Sequence, residues 1–457
     1  MSGFQSDAFV FFGATGDLAY KEIFPALQGL VRDEGFNLPV IGVAKAGWKT
    51  LDPLIARAKD SLEHHGGVDE AAFQKLSGML QFVDGDYEDP DTFTRLRKAL
   101  ANARQPLHYL AIPPSLFKAV ADGLAKSGCA DNARIVVEKP FGRDLASARE
   151  LNRTLHRHFP EDRIFRIDHF LGKEPVQNIL YTRFANPIFE PLWSRTHIRS
   201  IQITMAENFG VQDRGRFYDE VGALRDVVQN HMLQVLANLT MDPPTGQDHE
   251  AIRDARAALL KAIRPLSPDA MVRGQYQGYH SVPGVAAGST VETFVAIKVF
   301  IDSWRWAGVP IFIRAGKQLP VKSTEIFVEF KRPPRETFGE VVPGTSAHMR
   351  MRLSPDVSIG LGVRVKTAGD RMAGTDVELD LQQRVVEDVP PYQRLLGDAM
   401  RGNAELFGRQ DMVEAQWQVV EPVLDDVTPH YTYAPGTWGP EEANRLIDPD
   451  GPWINPQ

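Results

Sequence analysis

Cysteine is almost absent. The 457-residue chain has one, Cys129, which excludes an intramolecular disulfide and any cysteine-based zinc site. No apolar run approaches the roughly 20 residues needed to cross a bilayer. The start, Met1 to Asp7, has no basic stretch followed by an apolar one, so it predicts no signal peptide. The expectation is a reducing, cytoplasmic protein with no membrane partner. Positive charge is in deficit, with 51 Lys and Arg against 59 Asp and Glu and a net charge of −8. That excludes a broad nucleic-acid footprint but leaves room for a locally basic pocket. Internal repeats and low-complexity segments are also missing. What remains, 43% apolar and 24% charged residues, is ordinary for a globular chain whose length favours two domains.

The first third alternates short apolar runs with helical stretches. Candidate strands are Ala8–Phe12, Pro39–Val43, Leu80–Val83, His108–Ile112 and Arg134–Val137, and candidate helices include Leu18–Val31 and Asp91–Ala103. This pattern predicts a doubly wound, Rossmann-like parallel sheet with strands buried on both faces. Beyond about residue 170 the period changes. Ile201, Ile203 and Met205 alternate with Gln202 and Thr204, and Ile326, Val328 and Phe330 with Glu329 and Lys331. The same alternation recurs around Val363–Lys366 and Val377–Leu381. Period-two alternation predicts strands with one wet face, hence a large antiparallel sheet in an α+β domain. Asp226–Leu239 and Pro391–Leu406 read as helices, and Thr437–Gln457 as irregular. The expected division is a first domain at 1–170 and a second at 171–457.

Ala8–Phe12 runs into Gly13-Ala14-Thr15-Gly16-Asp17-Leu18-Ala19. A strand, a tight glycine turn and a helix start form a phosphate cradle, because glycine admits the pyrophosphate and the helix N-terminus favours an anion. This is G-x-x-G rather than the full dinucleotide fingerprint, so a glycine-rich turn of another kind stays open. The second strand ends Gly42-Val43-Ala44-Lys45, with a cation where NAD-preferring folds often place an acid. That favours NADP over NAD, unless Lys45 is an ordinary surface lysine. Lys139, in Glu138-Lys139-Pro140-Phe141-Gly142 after the fifth strand, is placed to reach cofactor or substrate, unless the segment is a plain turn; its bond to Pro140 is a candidate cis peptide.

Two further segments place charge where a core element would place leucine. They are Arg166-Ile167-Asp168-His169-Phe170-Leu171-Gly172-Lys173-Glu174 and Arg225-Asp226-Val227-Val228-Gln229-Asn230-His231. An imidazole with a carboxylate partner is a general base near neutral pH, and Lys173 with His169 suits a phosphate. The bland alternative has Asp168 and His169 capping a helix over Phe170–Ile179, His231 as a satisfied core histidine and the lysines as surface charges.

Together with Tyr109–Pro114, Gly274-Gln275-Tyr276, Arg314–Leu319 and Tyr433–Pro440, these motifs resemble the glucose-6-phosphate dehydrogenase family, in the right order along nearly the whole chain. The resemblance implies His231 as the base that takes the proton from the sugar C1 hydroxyl, with Asp168 orienting it. It implies His169 and Lys173 at the 6-phosphate, Glu207 and Asp226 at sugar hydroxyls, and Lys317 and Lys322 near the substrate. Lys139 then lies between sugar and cofactor. Gly13, Thr15, Gly16, Asp17, Leu18, Lys45, Asp86 and Tyr87 line the cofactor cleft. The implied reaction oxidises glucose 6-phosphate to the lactone with NADP, and with NAD as a weaker second cofactor. It needs no metal, because nicotinamide takes the hydride. The implied assembly is a homodimer or homotetramer.

Three positions depart from the family pattern. Phe170 stands where tyrosine is common, Lys45 replaces an arginine and loses its bidentate fork, and Glu22 lies in a stretch usually richer in cations. Phe170 and Glu22 support a rival, a dehydrogenase of unphosphorylated sugars. A second rival, a non-catalytic NADP-binding sensor, is disfavoured by the presence of both His231 and Asp168.

Overall fold

The computed structural model describes residues 3–338, 347–382 and 389–456. The described residues hold sixteen strands. In chain order they are β1 (Phe9–Phe12), β2 (Val40–Ala44), β3 (Leu80–Asp84), β4 (Leu107–Leu110), β5 (Arg134–Glu138), β6 (Ile164–Ile167), β7 (Ile198–Ala206) and β8 (Met271–Tyr276). They continue with β9 (Phe294–Val299), β10 (Ile311–Gly316), β11 (Ser323–Phe330), β12 (His348–Ser354), β13 (Ser358–Lys366), β14 (Gly374–Gln382), β15 (Phe407–Gly408) and β16 (His430–Tyr433). The chain divides into two compact units. The first comprises Met1–Lys173, Pro244–Asp254 and Glu387–Glu414; the second comprises Glu174–Pro243, Ala255–Val386 and Ala415–Gln457.

The first unit holds a seven-stranded sheet in the order β15-β6-β5-β4-β1-β2-β3. All neighbours are parallel except the short β15, which pairs antiparallel with β6. β1, β2 and β4 are buried along their whole length. Contiguous Phe, Val and Ile there serve two covered faces, so the doubly wound expectation holds and strand ends move by only a residue or two. The first helix differs from its expected form. It opens as a π-helical turn, Ala19–Ile23, and continues as an α-helix, Phe24–Glu34, that ends at left-handed Gly35. The second expected helix runs Pro90–Leu100, with the Asp89 side chain accepting from Asp91 N.

The second unit holds a nine-stranded sheet, β14-β13-β12-β11-β7-β10-β9-β8-β16. It is mostly antiparallel; β7–β10 and β8–β16 are its parallel pairs. The alternation along β7 and β11 marks two faces as expected, but the polar face is not wet. Gln202, Thr204, Arg314, Glu325 and Glu329 are all buried. The irregular tail lies over part of this face. Gln202 Nε2 donates to Pro452 O and Ile454 N to Gln202 Oε1. Arg314 Nη2 reaches Asn455 Oδ1 at 2.7 Å, and its guanidinium lies 4.7 Å from the rings of both Trp438 and Trp453. Thr204 Oγ1 accepts from Arg314 Nε, Glu325 pairs with Arg350 and Glu329 with Arg199, and partners of this kind are what make a dry polar face tolerable.

Candidate active site

At the nucleotide end, Gly13 has φ +83°, and a Cβ there would sit 2.2 Å from Ala111 O. Its N–H is taken by Val43 O and by Tyr87 Oη at 2.8 Å; Tyr87 in turn donates to Val43 O. Gly16 N closes the turn on Gly13 O at 2.8 Å. Among the described residues no partner is found for the backbone N–H groups of Thr15, Asp17 and Leu18, and no side chain caps the helix at Leu18. Three open donors around a helix N-terminus fit a pyrophosphate. One residue beyond β2, Lys45 Nζ meets Asp86 Oδ2 at 2.9 Å.

β5 delivers Glu138 and then Lys139, joined to Pro140 by a cis peptide as the sequence suggested. Glu138 accepts from the Tyr109 and Tyr392 phenols. Burial pushes its carboxyl up to about 7, against the pull of those hydrogen bonds and of Lys139. Tyr392 opens the helix Pro391–Arg401, which stops before the expected Leu406 because Gly402 turns left-handed. The same helix braces the segment after β6: Arg394 Nη1 donates to Gly172 O at 2.9 Å.

In that segment Asp168 is buried and its Oδ1 accepts from Phe170 N at 3.0 Å. Successive turns, Leu171 N to Asp168 O, Gly172 N to His169 O and Lys173 N to Phe170 O, carry the chain to Lys173. The helix begins only at Glu174, so the capped-helix alternative over Phe170–Ile179 does not hold. Phe170 is buried between its neighbours. Its ring stands edge-on to His169, and Lys173 Nζ lies 3.9 Å from its centroid. Phe170 therefore holds both candidate phosphate cations.

In the second unit His231 is buried, within a π-helical stretch, Leu224–Met232, set between helical Gly215–Ala223 and α-helical Leu233–Thr240. The expected plain helix is therefore widened. In an α-helix, residues five apart are about 140° around the axis; i→i+5 bonding stacks them. The π turn thus places Asp226 and His231 on one face. Glu292, which the sequence gave no sign of, holds the start of this stretch: its Oε1 accepts from Leu224 N at 2.9 Å. Gly222, φ +65°, makes room for it, since a Cβ there would lie 2.5 Å from Glu292 Oε1.

Glu207 and Lys317 follow β7 and β10, whose ends pair Ala206 with Gly316. Lys317 Nζ meets Glu207 Oε2 at 2.6 Å, beneath the rings of Phe209 and Tyr218. The Lys317 backbone is pinned on both sides, N–H to Thr293 O and C=O to Tyr433 Oη. Tyr218, also unforeseen, is buried and its phenol is pushed far up by burial, then by Asp226 and Glu292. Lys322 is exposed on the residue before β11.

Residues 180–454 match the family model of the glucose-6-phosphate dehydrogenase C-terminal domain, and residues 10–178 that of its NAD binding domain. The chain belongs to the glucose-6-phosphate dehydrogenase family. It is 44% identical to glucose-6-phosphate 1-dehydrogenase 1 of Mycobacterium tuberculosis, covering 99% of this chain and 97% of that one. It is 40% identical to glucose-6-phosphate 1-dehydrogenase of Rhizobium meliloti, covering 97% and 96%. Among solved structures, the Mycobacterium avium glucose-6-phosphate 1-dehydrogenase superposes with a TM-score of 0.92 at 45% identity, over 99% of both chains. A glucose-6-phosphate dehydrogenase in complex with its substrate glucose-6-phosphate superposes with a TM-score of 0.91 at 34% identity, over the whole of both chains. The family's nucleotide-binding domain implies a dinucleotide cofactor.

Proposed function

We propose that the chain oxidises glucose 6-phosphate at C1 to 6-phosphoglucono-lactone, with NADP as the preferred hydride acceptor, as the first step of the oxidative pentose phosphate pathway. The observation that carries this reading is the full-length match to the substrate-bound family structure. His231 takes the proton of the C1 hydroxyl, and Asp168 orients the imidazole and stabilises its protonated form. His169 and Lys173, spaced by the Phe170 ring, hold the 6-phosphate. Glu207, Asp226, Lys317 and Lys322 bind the sugar, and Lys139 stands between sugar and cofactor. The dinucleotide, when bound, accepts the hydride from C1. Gly13, Thr15, Gly16, Asp17 and Leu18 hold its phosphates, supported by the open N–H groups of the turn; Lys45, Asp86 and Tyr87 line the ribose end. Residues 1–170 thus supply the cofactor cleft together with Asp168, His169 and Lys139 for the sugar, and 171–457 supply the remaining sugar contacts.

The second part of the chain also serves assembly, as a homodimer or homotetramer. β13 and β14 support this: Ile359, Leu361 and Val363 pair with Leu381, Leu379 and Val377, and both leucines of β14 are exposed. A paired apolar sheet face of this kind is a surface for a second copy. No described helix is long and apolar enough to cross a membrane, which is compatible with a cytoplasmic enzyme. Initial-rate kinetics with both sugars and both cofactors test the reading. Glucose 6-phosphate with NADP is expected to give the highest kcat/KM. A higher kcat/KM for free glucose would transfer the reading to the unphosphorylated-sugar rival.

A further inference from the structure

The end of β2 carries a cation, and the loop after β3 sets a carboxylate directly against it. Lys45 Nζ and Asp86 Oδ2 are 2.9 Å apart, and both side chains are open to solvent. The two partners are held very differently. Asp86 Oδ1 accepts from Glu88 N at 3.0 Å, and Asp86 O accepts from Thr92 Oγ1 at 2.7 Å. The next residue, Tyr87, is locked through its hydroxyl onto Gly13 N and Val43 O. Asp86 is therefore a fixed carboxylate. Lys45 has a flexible four-carbon stem, three-quarters of its side-chain surface exposed, and Asp86 as its hydrogen-bond partner. Asp84 lies close by, but its Oδ1 already accepts from Ala46 N and Gly47 N.

In dinucleotide-binding folds the end of the second strand faces the adenine ribose. An acid there accepts from a 2′-hydroxyl, and a cation accommodates a 2′-phosphate. This chain presents both. We propose that Lys45 and Asp86 together read the ribose 2′ position, Lys45 swinging to a 2′-phosphate and the fixed Asp86 accepting from a 2′-hydroxyl, so that one site admits NADP and NAD. The inference rests on the cofactor reading given above. It makes Asp86 a specificity residue that works against NADP: its carboxylate competes for the lysine and repels the phosphate dianion. Exposed ion pairs are weak, so the phosphate can displace Asp86 from Lys45. The carboxylate stays ionised, since the Glu88 N–H and then Lys45 hold it below its ordinary range.

The test measures dissociation constants of NADPH and NADH by nucleotide fluorescence on the full chain, which needs no turnover. Asp86→Asn keeps the acceptor for Glu88 N and removes the charge. It should tighten NADPH and weaken NADH, each by about 3- to 10-fold, the scale of an ordinary hydrogen bond at a solvent-open site. Lys45→Ala should weaken NADPH by roughly tenfold and leave NADH within about twofold. If Asp86→Asn shifts both nucleotides the same way, or neither, while Lys45→Ala remains selective for NADPH, the assignment of Asp86 is overturned and the cofactor reading survives. If Lys45→Ala weakens both nucleotides equally, the strand end does not face the ribose and both fall. Asp86→Ser serves as the second variant should Asp86→Asn fail to fold, with the same expected directions.

Discussion

Two lysine–carboxylate pairs stand just past strand ends, one in each unit, and they differ in almost everything except composition. Lys45 and Asp86 keep 75% and 43% of their side-chain surface, whereas Lys317 and Glu207 keep 11% and 21%. The first pair is bathed in water, which screens it and lets it exchange partners. The second sits under two aromatic rings, with its lysine backbone pinned on both sides. Enclosure makes either partner alone expensive, because an unpaired charge is left with little water around it. The same two residue types therefore yield an exchangeable reader in one place and a fixed part of a site in the other.

The largest expected effect lies outside both pairs and sets the scale for them. His231→Asn should lower turnover by roughly 10²–10⁴-fold, the usual contribution of a positioned general base, with substrate affinity changing far less. A variant that keeps more than about a tenth of wild-type turnover would remove His231 from that role.

The contrast between the pairs is broken most directly by deleting each lysine. Lys317→Ala leaves Glu207 enclosed without its cation. It should lower stability to urea by about 1–3 kcal/mol, less than a fully buried pair because some surface remains, and it should also reduce kcat/KM. Lys45→Ala should leave the urea midpoint unchanged while raising KM for NADP and not for NAD. Equal destabilisation by the two variants would show that enclosure is not what separates the pairs.

Glu138 sharpens the comparison, because it is an enclosed carboxyl held chiefly by phenols. Its carboxyl is pushed up to about 7 by burial. The folded chain then holds a proton that the unfolded chain releases near the ordinary carboxylate range. Stability should therefore fall as pH rises from about 5 through about 7, the reverse of a salt-bridged acid. Glu138→Gln should flatten that slope in urea titrations across the window. An unchanged slope would assign the pH dependence to other groups.

These distinctions mark where the sequence was informative and where it was not. β1, β2 and β4 were legible because both faces are apolar, so the strand signal needs no partner to be read. The charged segments around Asp168 and His231 were legible because they interrupt core patterning. The alternation in β7 and β11 correctly assigned two faces but not their exposure. The buried state of Gln202 and Arg314 depends on Pro452, Ile454 and Asn455, some 140 to 250 residues away. The π turn carrying His231 was hidden for the same reason, since Glu292, which holds its start, lies 68 residues on. Likewise, nothing local to Pro391–Arg401 says that it packs with the first unit. Periodicity reports polarity and local conformation; which polar groups end up dry is decided by distant chain.

The last effect concerns Phe170, the position where the family commonly has tyrosine, and the crowding around its ring works against it. Its ring spaces His169 from Lys173, so the aromatic body matters even without a hydroxyl. With both cations in place, glucose 6-phosphate should remain the preferred sugar of the wild type, with modest affinity. A hydrogen bond from an added phenol to the phosphate contributes about 1.5–3 kcal/mol, tenfold or more in binding. Phe170→Tyr should then raise kcat/KM for glucose 6-phosphate and leave that for free glucose unchanged. The ring is buried, however, and a hydroxyl that finds no partner lowers stability. Two measurements separate the outcomes. A gain in the ratio of kcat/KM for the two sugars, with the melting temperature held, places the ring edge at the phosphate. A lower melting temperature with no change in the ratio means that the edge faces protein, and that Phe170 acts only by setting the distance between His169 and Lys173.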